Sequence, residues 1–193
     1  MIFTPFLHLS AQSQNDPFLN EQWYLNKIGV PLTWQETIGS TDVIVAILDA
    51  GFDLDHEDLV SQYWHNKLEI PNNNKDDDGN GYEDDVTGWD FVDSDPDPSP
   101  VITPQFNDTI ISHGTAIAGI IGAATQNGIG IAGINQKISI MPLRILNEKG
   151  AGSTFDVRQA IEYAVKNGAQ VINLSFTSDK PDMLLAKTIA WAV

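Results

Sequence analysis

Two side chains of this sequence have the makings of an acid–base pair. Asp49 closes the run Val43-Ile44-Val45-Ala46-Ile47-Leu48-Asp49 and is followed by Ala50-Gly51, where the chain must turn. His113 opens the stretch His113-Gly114-Thr115-Ala116-Ile117-Ala118-Gly119, dense in small and apolar residues. A carboxylate that accepts a hydrogen bond from one imidazole nitrogen orients the ring and leaves the other nitrogen to take a proton from a nucleophile. Taken singly, Asp49 could merely end a strand and His113 merely cap a helix.

A second concentration of chemistry is acidic. Between Asp76 and Asp97 stand ten acids and no Lys or Arg. Asp76 and Asp78 at positions 1 and 3, Asn80 at 5, Gly81 at 6 and Asp84 at 9 reproduce the first part of a calcium loop, in which hard oxygen donors two residues apart converge on one cation. Position 12 is Thr87, so the loop is not a full EF-hand. The expected ligands are Asp76, Asp78, Asn80 and Asp84, with Ca2+ as the cofactor; the alternative is a solvated acidic turn.

These residues need elements to hold them. The unbroken apolar run 43–48 reads as a strand buried on both faces of a parallel sheet, and a carboxylate at its carboxyl end sits where open α/β sheets place their ligands. His113 to Ala124 reads as a buried helix with His113 at its N-terminal end, and Ile138 to Ile145 as a second strand. Ser153, with Asp156 three positions on, opens an amphipathic helix with its stripe at Val157, Ala160, Ile161, Ala164 and Val165, ended by Gly168. Val171 to Phe176 reads as a third buried strand and Met183 to Val193 as the start of another helix. Strands alternating with helices predict an α/β fold with a doubly wound, mostly parallel sheet. With no strand to follow the last helix, the expectation is a domain incomplete at its C-terminus. The segment 70–100 is too polar to build a core itself.

Composition excludes several classes. The 193 residues carry a formal net charge of −16, which repels nucleic acid and invites divalent cations. At 42% hydrophobic residues and no cysteine, the chain reads as globular, with no disulfide, thiolate nucleophile or Cys-based metal site. No apolar run is long enough for a membrane span. Residues 1–14, apolar and then polar without basic residues, read as a signal remnant or N-terminal extension. Gly128-Ile129-Gly130-Ile131-Ala132-Gly133 matches the dinucleotide fingerprint by letter, but it follows a helix and precedes a strand, the reverse of what a pyrophosphate site requires. His8, His56 and His65 have no partner spacing.

The blocks Asp49-Ala50-Gly51-Phe52-Asp53-Leu54-Asp55-His56-Glu57-Asp58-Leu59 and His113-Gly114-Thr115-Ala116-Ile117-Ala118-Gly119 resemble the first two catalytic blocks of the subtilisin-like serine peptidases, the subtilases. Val171-Ile172-Asn173-Leu174-Ser175-Phe176 resembles that family's substrate-binding strand, and the blocks come in the family's order. The resemblance implies that residues 15–193 are the N-terminal part of a subtilase catalytic domain. It implies that Asp49 orients His113, that His113 is the general base, and that Leu174, Ser175 and Phe176 pair with an extended protein or peptide substrate. It further implies a second calcium site at Asp16, Asp58 and Asn127, and a secreted or cell-surface location. Ala50 stands where the family usually has Thr or Ser, Ala116 where a second His is frequent, and Thr177 where Gly often follows the substrate strand.

One block of the family's pattern is absent. Beyond His113 the serines are Ser139, Ser153, Ser175 and Ser178, and none has the sequence context of a strand-to-helix elbow. The expectation is a serine endopeptidase fragment that carries the Asp and His of a triad without its nucleophile, and is inactive apart from the missing C-terminal half of its domain. The alternative is a catalytically silent subtilase-like module that binds calcium or peptide.

Overall fold

The computed structural model describes residues 15–102, 108–178 and 180–193. The expectation of a signal remnant at 1–14 lies outside the described residues. The described chain opens with a 3-10 turn at Leu19–Glu21, followed by α1 (Trp23–Lys27) and α2 (Val30–Thr33). Then come β1 (Gly39–Asp49), β2 (Trp89–Asp90), α3 (Asp108–Ile111), α4 (His113–Gly122), β3 (Lys137–Arg144), α5 (Thr154–Lys166), β4 (Val171–Leu174) and α6 (Met183–Ala192).

The four strands form one parallel sheet in the order β2-β3-β1-β4. β1 is central because it is the most continuously apolar, and its last five residues are all buried. Its alternate side chains feed two cores. Val45 and Ile47 join Phe52, Leu59, Tyr63, Ala118, Ile138 and Ile140 on the face covered by α4. Ala46 and Leu48 join Met141, Leu143, Val157, Ala160, Ile161 and Tyr163 on the face covered by α5. Helices on both faces make the sheet doubly wound. The connection through α3 and α4 leads from β2 to its neighbour β3, and the connection through α5 leads from β3 across β1 to β4 on its other side. Connections that diverge to the two faces open a crevice at the carboxyl ends of the strands, and Asp49 stands there.

Local signals explain the helices. Ser153 accepts a hydrogen bond from Asp156 N at 3.1 Å, capping α5, and Gly168 at φ +82° ends it. Asp182 caps α6 by accepting from Leu184 N and Leu185 N, and these bonds, led by Leu185, hold its carboxyl below the usual carboxylate range. α4 is built for close approach: Gly114, Ala118, Gly119 and Gly122 are its buried residues.

Two differences from the sequence reading have physical causes. The third strand stops at Leu174 rather than Phe176, because its partner β1 turns away after Asp49 and Leu48↔Leu174 is the last pair. The acidic segment 70–100 does contribute to the core. Trp89 and Phe91 are buried, and Tyr82 packs edge-on to Trp89, Phe91 and Tyr163, so aromatic rings spaced through the polar residues anchor the loop. Leu143→Ala, at a fully buried position of β3, is expected to cost about 2–5 kcal/mol in chemical denaturation. Val43→Ala, 40% exposed at the start of the buried run, should cost less than about 1 kcal/mol.

Candidate functional site

Asp49 ends β1 with its side chain on the face that α4 covers, and α4 begins at His113. The imidazole Nδ1 lies 2.8 Å from Asp49 Oδ2 and 3.0 Å from Oδ1. A carboxylate only accepts, so Nδ1 carries the proton and Nε2 is the nitrogen able to take another. Asp49 is 2% exposed, whereas the His113 side chain is 43% exposed, so the pair is anchored inside and open outside. Ala50 N donates to Asp49 Oδ1 at 2.8 Å, and Ile145 N and Leu146 N donate to the Asp49 carbonyl. The approach is allowed by Gly114: a Cβ there would run into the carbonyl oxygen of Gly51 and lie 3.0 Å from Asp49 Cβ.

The serines beyond His113 are engaged elsewhere. Ser139 Oγ donates to Thr41 O, Ser153 caps α5, Ser175 Oγ donates to Asn173 Oδ1 and Ser178 Oγ to Lys180 O. Beside the dyad, β4 is an edge strand with one side unpaired among the described residues. Leu174 and Ser175 are exposed at its end, while Phe176 turns back to pack against the α5-side core.

In the acidic loop the structure regroups the expected ligands. Asp76 is spent on its own turn, accepting from Gly79 N, Asn80 N and Gly81 N. Those bonds, Gly81 first, hold its carboxyl below the ordinary range. Asp84 points away, accepting from Asn73 N at 3.0 Å and Asn74 N at 2.8 Å. The carboxylates that meet are Asp78, Asp85 and Glu69, each offering an oxygen within 4.8 Å of the others. Asn66 and Asn80 bridge Asp78 and Asp85 through their amides. Asp85 also accepts from the Tyr163 hydroxyl at 2.6 Å. Burial pushes the Asp85 carboxyl up, against the hydrogen bonds from Tyr163, Asn80 and Asn66. Glu69 is 7% exposed; Oε1 accepts from Asp77 N and Asp78 N, and Oε2 is buried with no partner among the described residues. An orphaned buried carboxylate oxygen facing two more carboxylates fits a hard divalent cation.

Glu69 and Asp85 were missed because they fall outside the alternating Asp76-Asp78-Asn80 spacing. The signal that finds Asp85 is the tyrosine that approaches it, which only the tertiary structure supplies. The second set converges more simply. Asp16 accepts from Gln126 N and Asn127 N, and Asp58 from Asn127 Nδ2 at 2.8 Å and Ile131 N at 3.0 Å. The glycine run 128–133 thus wraps the Asp58 carboxylate, and a Cβ on Gly130 would strike it.

Comparison with known proteins follows the same lines. The profile described as the Subtilase family matches residues 40–191. Halolysin of Haloferax mediterranei is 36% identical over 169 residues, covering 87% of this chain and 27% of its own. The halolysin-like extracellular serine protease Nep of Natrialba magadii is 34% identical, covering 83% and 25%. The chain therefore spans about a quarter of the length of these relatives. Among solved structures, a protease from Pseudoalteromonas arctica PAMC 21717 superimposes with a TM-score of 0.71 at 25% identity, covering 94% of this chain and 56% of that one.

Two glycines of α4 should respond oppositely to one methyl group. Gly114→Ala is expected to destabilise by about 1–3 kcal/mol, since backbone of the 49–52 turn must move. Gly119→Ala, whose Cβ would meet Ile131 Cδ1 at 3.5 Å, should be neutral or stabilise by up to about 1 kcal/mol. Urea denaturation of the two variants checks the contrast.

Proposed function

The chain belongs to the subtilase family, and on that premise we propose that it supplies the orienting acid and general base of a serine endopeptidase. The observation that carries the reading is the buried Asp49 carboxylate on His113 Nδ1. In the reaction, His113 Nε2 takes the hydroxyl proton of a serine as its oxygen attacks the peptide carbonyl. The resulting imidazolium gives that proton to the departing amine, leaving an acyl-enzyme, and a water then repeats the sequence to release the acid. Asp49 holds the tautomer and answers the imidazolium charge throughout. The serines at 139, 153, 175 and 178 are bound up elsewhere, which favours a nucleophile from polypeptide other than these residues, the remainder of the catalytic domain. The substrate is an extended peptide added to the free edge of β4 at Leu174 and Ser175, with Phe176 supporting the edge from the core side.

The same engagement of every serine beyond His113 favours, as a second reading, a silent module in which the dyad persists without cleavage. A serine-directed fluorophosphonate probe separates the two. Residues 1–193 alone should remain unlabelled, and addition of the serine-bearing remainder of the domain should bring labelling and peptide cleavage. Asp49→Asn should then lower kcat by about ten-thousandfold, and His113→Ala by about a millionfold. Cleavage unaffected by His113→Ala would sink the peptidase reading, and no labelling in the completed domain would favour the silent module.

The acidic loop is read as a calcium site whose ligands are Glu69, Asp78 and Asp85, with the side-chain oxygens of Asn66 and Asn80 turned to complete a shell. Asp76 and Asp84, named with Asp78 and Asn80 from sequence, shape the loop instead. Asp16, Asp58 and Asn127 are read as part of a second calcium site tying the N-terminal segment to the loop after α4. Bound calcium supplies positive charge that relieves carboxylate repulsion, not a reaction step. Calorimetric titration tests the loop: Glu69→Gln should weaken calcium binding by at least about tenfold, and Asp84→Asn by no more than about twofold. The opposite ranking would restore the Asp76–Asp84 set. An extracellular setting, where calcium is plentiful, accords with the similarity to the extracellular serine protease Nep of Natrialba magadii. No helix of the described residues is long and apolar enough to cross a membrane.

A further inference from the structure

Across the carboxyl ends of three neighbouring strands runs a row of buried charge larger than the dyad itself. Asp49 on β1 is in register with Arg144 on β3, and Arg144 with Asp90 on β2. In-register residues of a parallel sheet project to the same face. Val45, Ile47 and Ile140, which share that parity, pack on the α4 face, so the three charged side chains stand there together. Asp49 and Asp90 are 2% exposed and Arg144 is 1% exposed, and Arg144 is the one buried basic residue among those described.

Arg144 Nη1 donates to Asp90 and, at 2.6 Å, to Asp93. Burial works against its charge, but the hydrogen bonds it donates to Asp93 and Asp90 outweigh that and hold the guanidinium above its ordinary range. Its Nε is buried without a partner among the described residues, so the two carboxylates do not exhaust the cation. The main chain is fastened at the same point. The Arg144 carbonyl accepts from Phe91 N at 2.8 Å, and the next two amides, Ile145 N and Leu146 N, hold the Asp49 carbonyl at 2.8 and 3.2 Å. Any shift of this end of β3 is a shift of Asp49.

We propose that Arg144 is a positioning residue of the peptidase site: paired with Asp90, it locks the end of β3 that grips Asp49 and carries a buried positive charge on the neighbouring strand, in register with that residue. The proposal rests on the Asp49–His113 reading of the site. A merely structural role, stapling the loop after β2, would leave the imidazole untouched. Arg144 acting through Asp49 predicts that its loss frees the ring to exchange tautomers, because the orienting carboxylate is what holds the proton on Nδ1.

The test reads the His113 tautomer from imidazole nitrogen shifts in the 193-residue chain at a pH where the ring is neutral. The wild type should hold the proton on Nδ1, and Asp49→Asn should abolish that preference. Arg144→Met/Asp90→Asn removes the buried pair together and leaves neither charge stranded; it should raise the Nε2–H fraction by about threefold or more in a protein that still melts cooperatively. Arg144→Lys keeps the charge but loses the fork, and should fall between the two. If the double variant is folded and keeps the wild-type tautomer ratio, Arg144 is only a staple and the proposal is overturned. If the double variant does not fold, a wild-type ratio in Arg144→Lys overturns it equally. A wild type with no Asp49-dependent Nδ1 preference would instead overturn the dyad reading on which the proposal stands.

Discussion

The structure depends on burying one carboxylate at the end of an inner strand of the sheet. Asp49 lies between two strands and under a helix, so its oxygens must be answered by protein donors. They are answered by Ala50 N and by the His113 imidazole. That requirement dictates much of the surrounding chain. α4 must begin at His113 and pass close over the turn after β1, which only a glycine at 114 permits. β3 must be long enough to place the two amides after Arg144 on the Asp49 carbonyl. The apolar run of β1 both buries the sheet's two faces and delivers the carboxylate to the crevice, so fold and site come from a single stretch of sequence.

The acidic loop solves a different problem. Residues 66–97 form little regular structure, and their backbone amides would otherwise rely on water. Carboxylates take the place of a ladder: Asp76 holds three amides, and Glu69, Asp84 and Asp90 hold two each. Each such bond fixes the loop's shape while adding to its negative charge, and the aromatic cluster of Tyr82, Trp89, Phe91 and Tyr163 joins it to the core. A cation at Glu69, Asp78 and Asp85 would relieve the repulsion that this architecture accumulates.

The legible parts of the fold were those carried by local pattern. The unbroken apolar run 43–48 pointed to β1, the Ser153–Asp156 spacing to the α5 cap, and the small residues after His113 to a helix that must pack tightly. The Asp49–His113 approach followed from a strand-end carboxylate and a helix-start imidazole in an alternating α/β order. What escaped was set by tertiary contact. Nothing near Arg144 in sequence announces Asp90 and Asp93 as its partners. Glu69 lies outside the ligand spacing of the acidic loop, and its burial is set by tertiary contact. Asp84 fitted a ligand spacing by letter, but its left-handed backbone, φ +56°, aims the carboxylate at Asn73 and Asn74.

These two economies of charge meet at Arg144. Its guanidinium draws Asp90 and Asp93 out of the excess of negative charge in the acidic segment and uses them to hold β3, and β3 in turn holds Asp49. A hydrophobic side chain at 144 could fill the same space, and replacing a buried ion pair by apolar groups often costs no stability. Packing alone therefore does not account for an arginine there. A cation in register with both buried carboxylates does: it ties the strand end to the loop through Asp90 and Asp93, and the amides that follow it hold the Asp49 carbonyl, so that the rigidity of the loop is transmitted to the residue that sets the tautomer of His113.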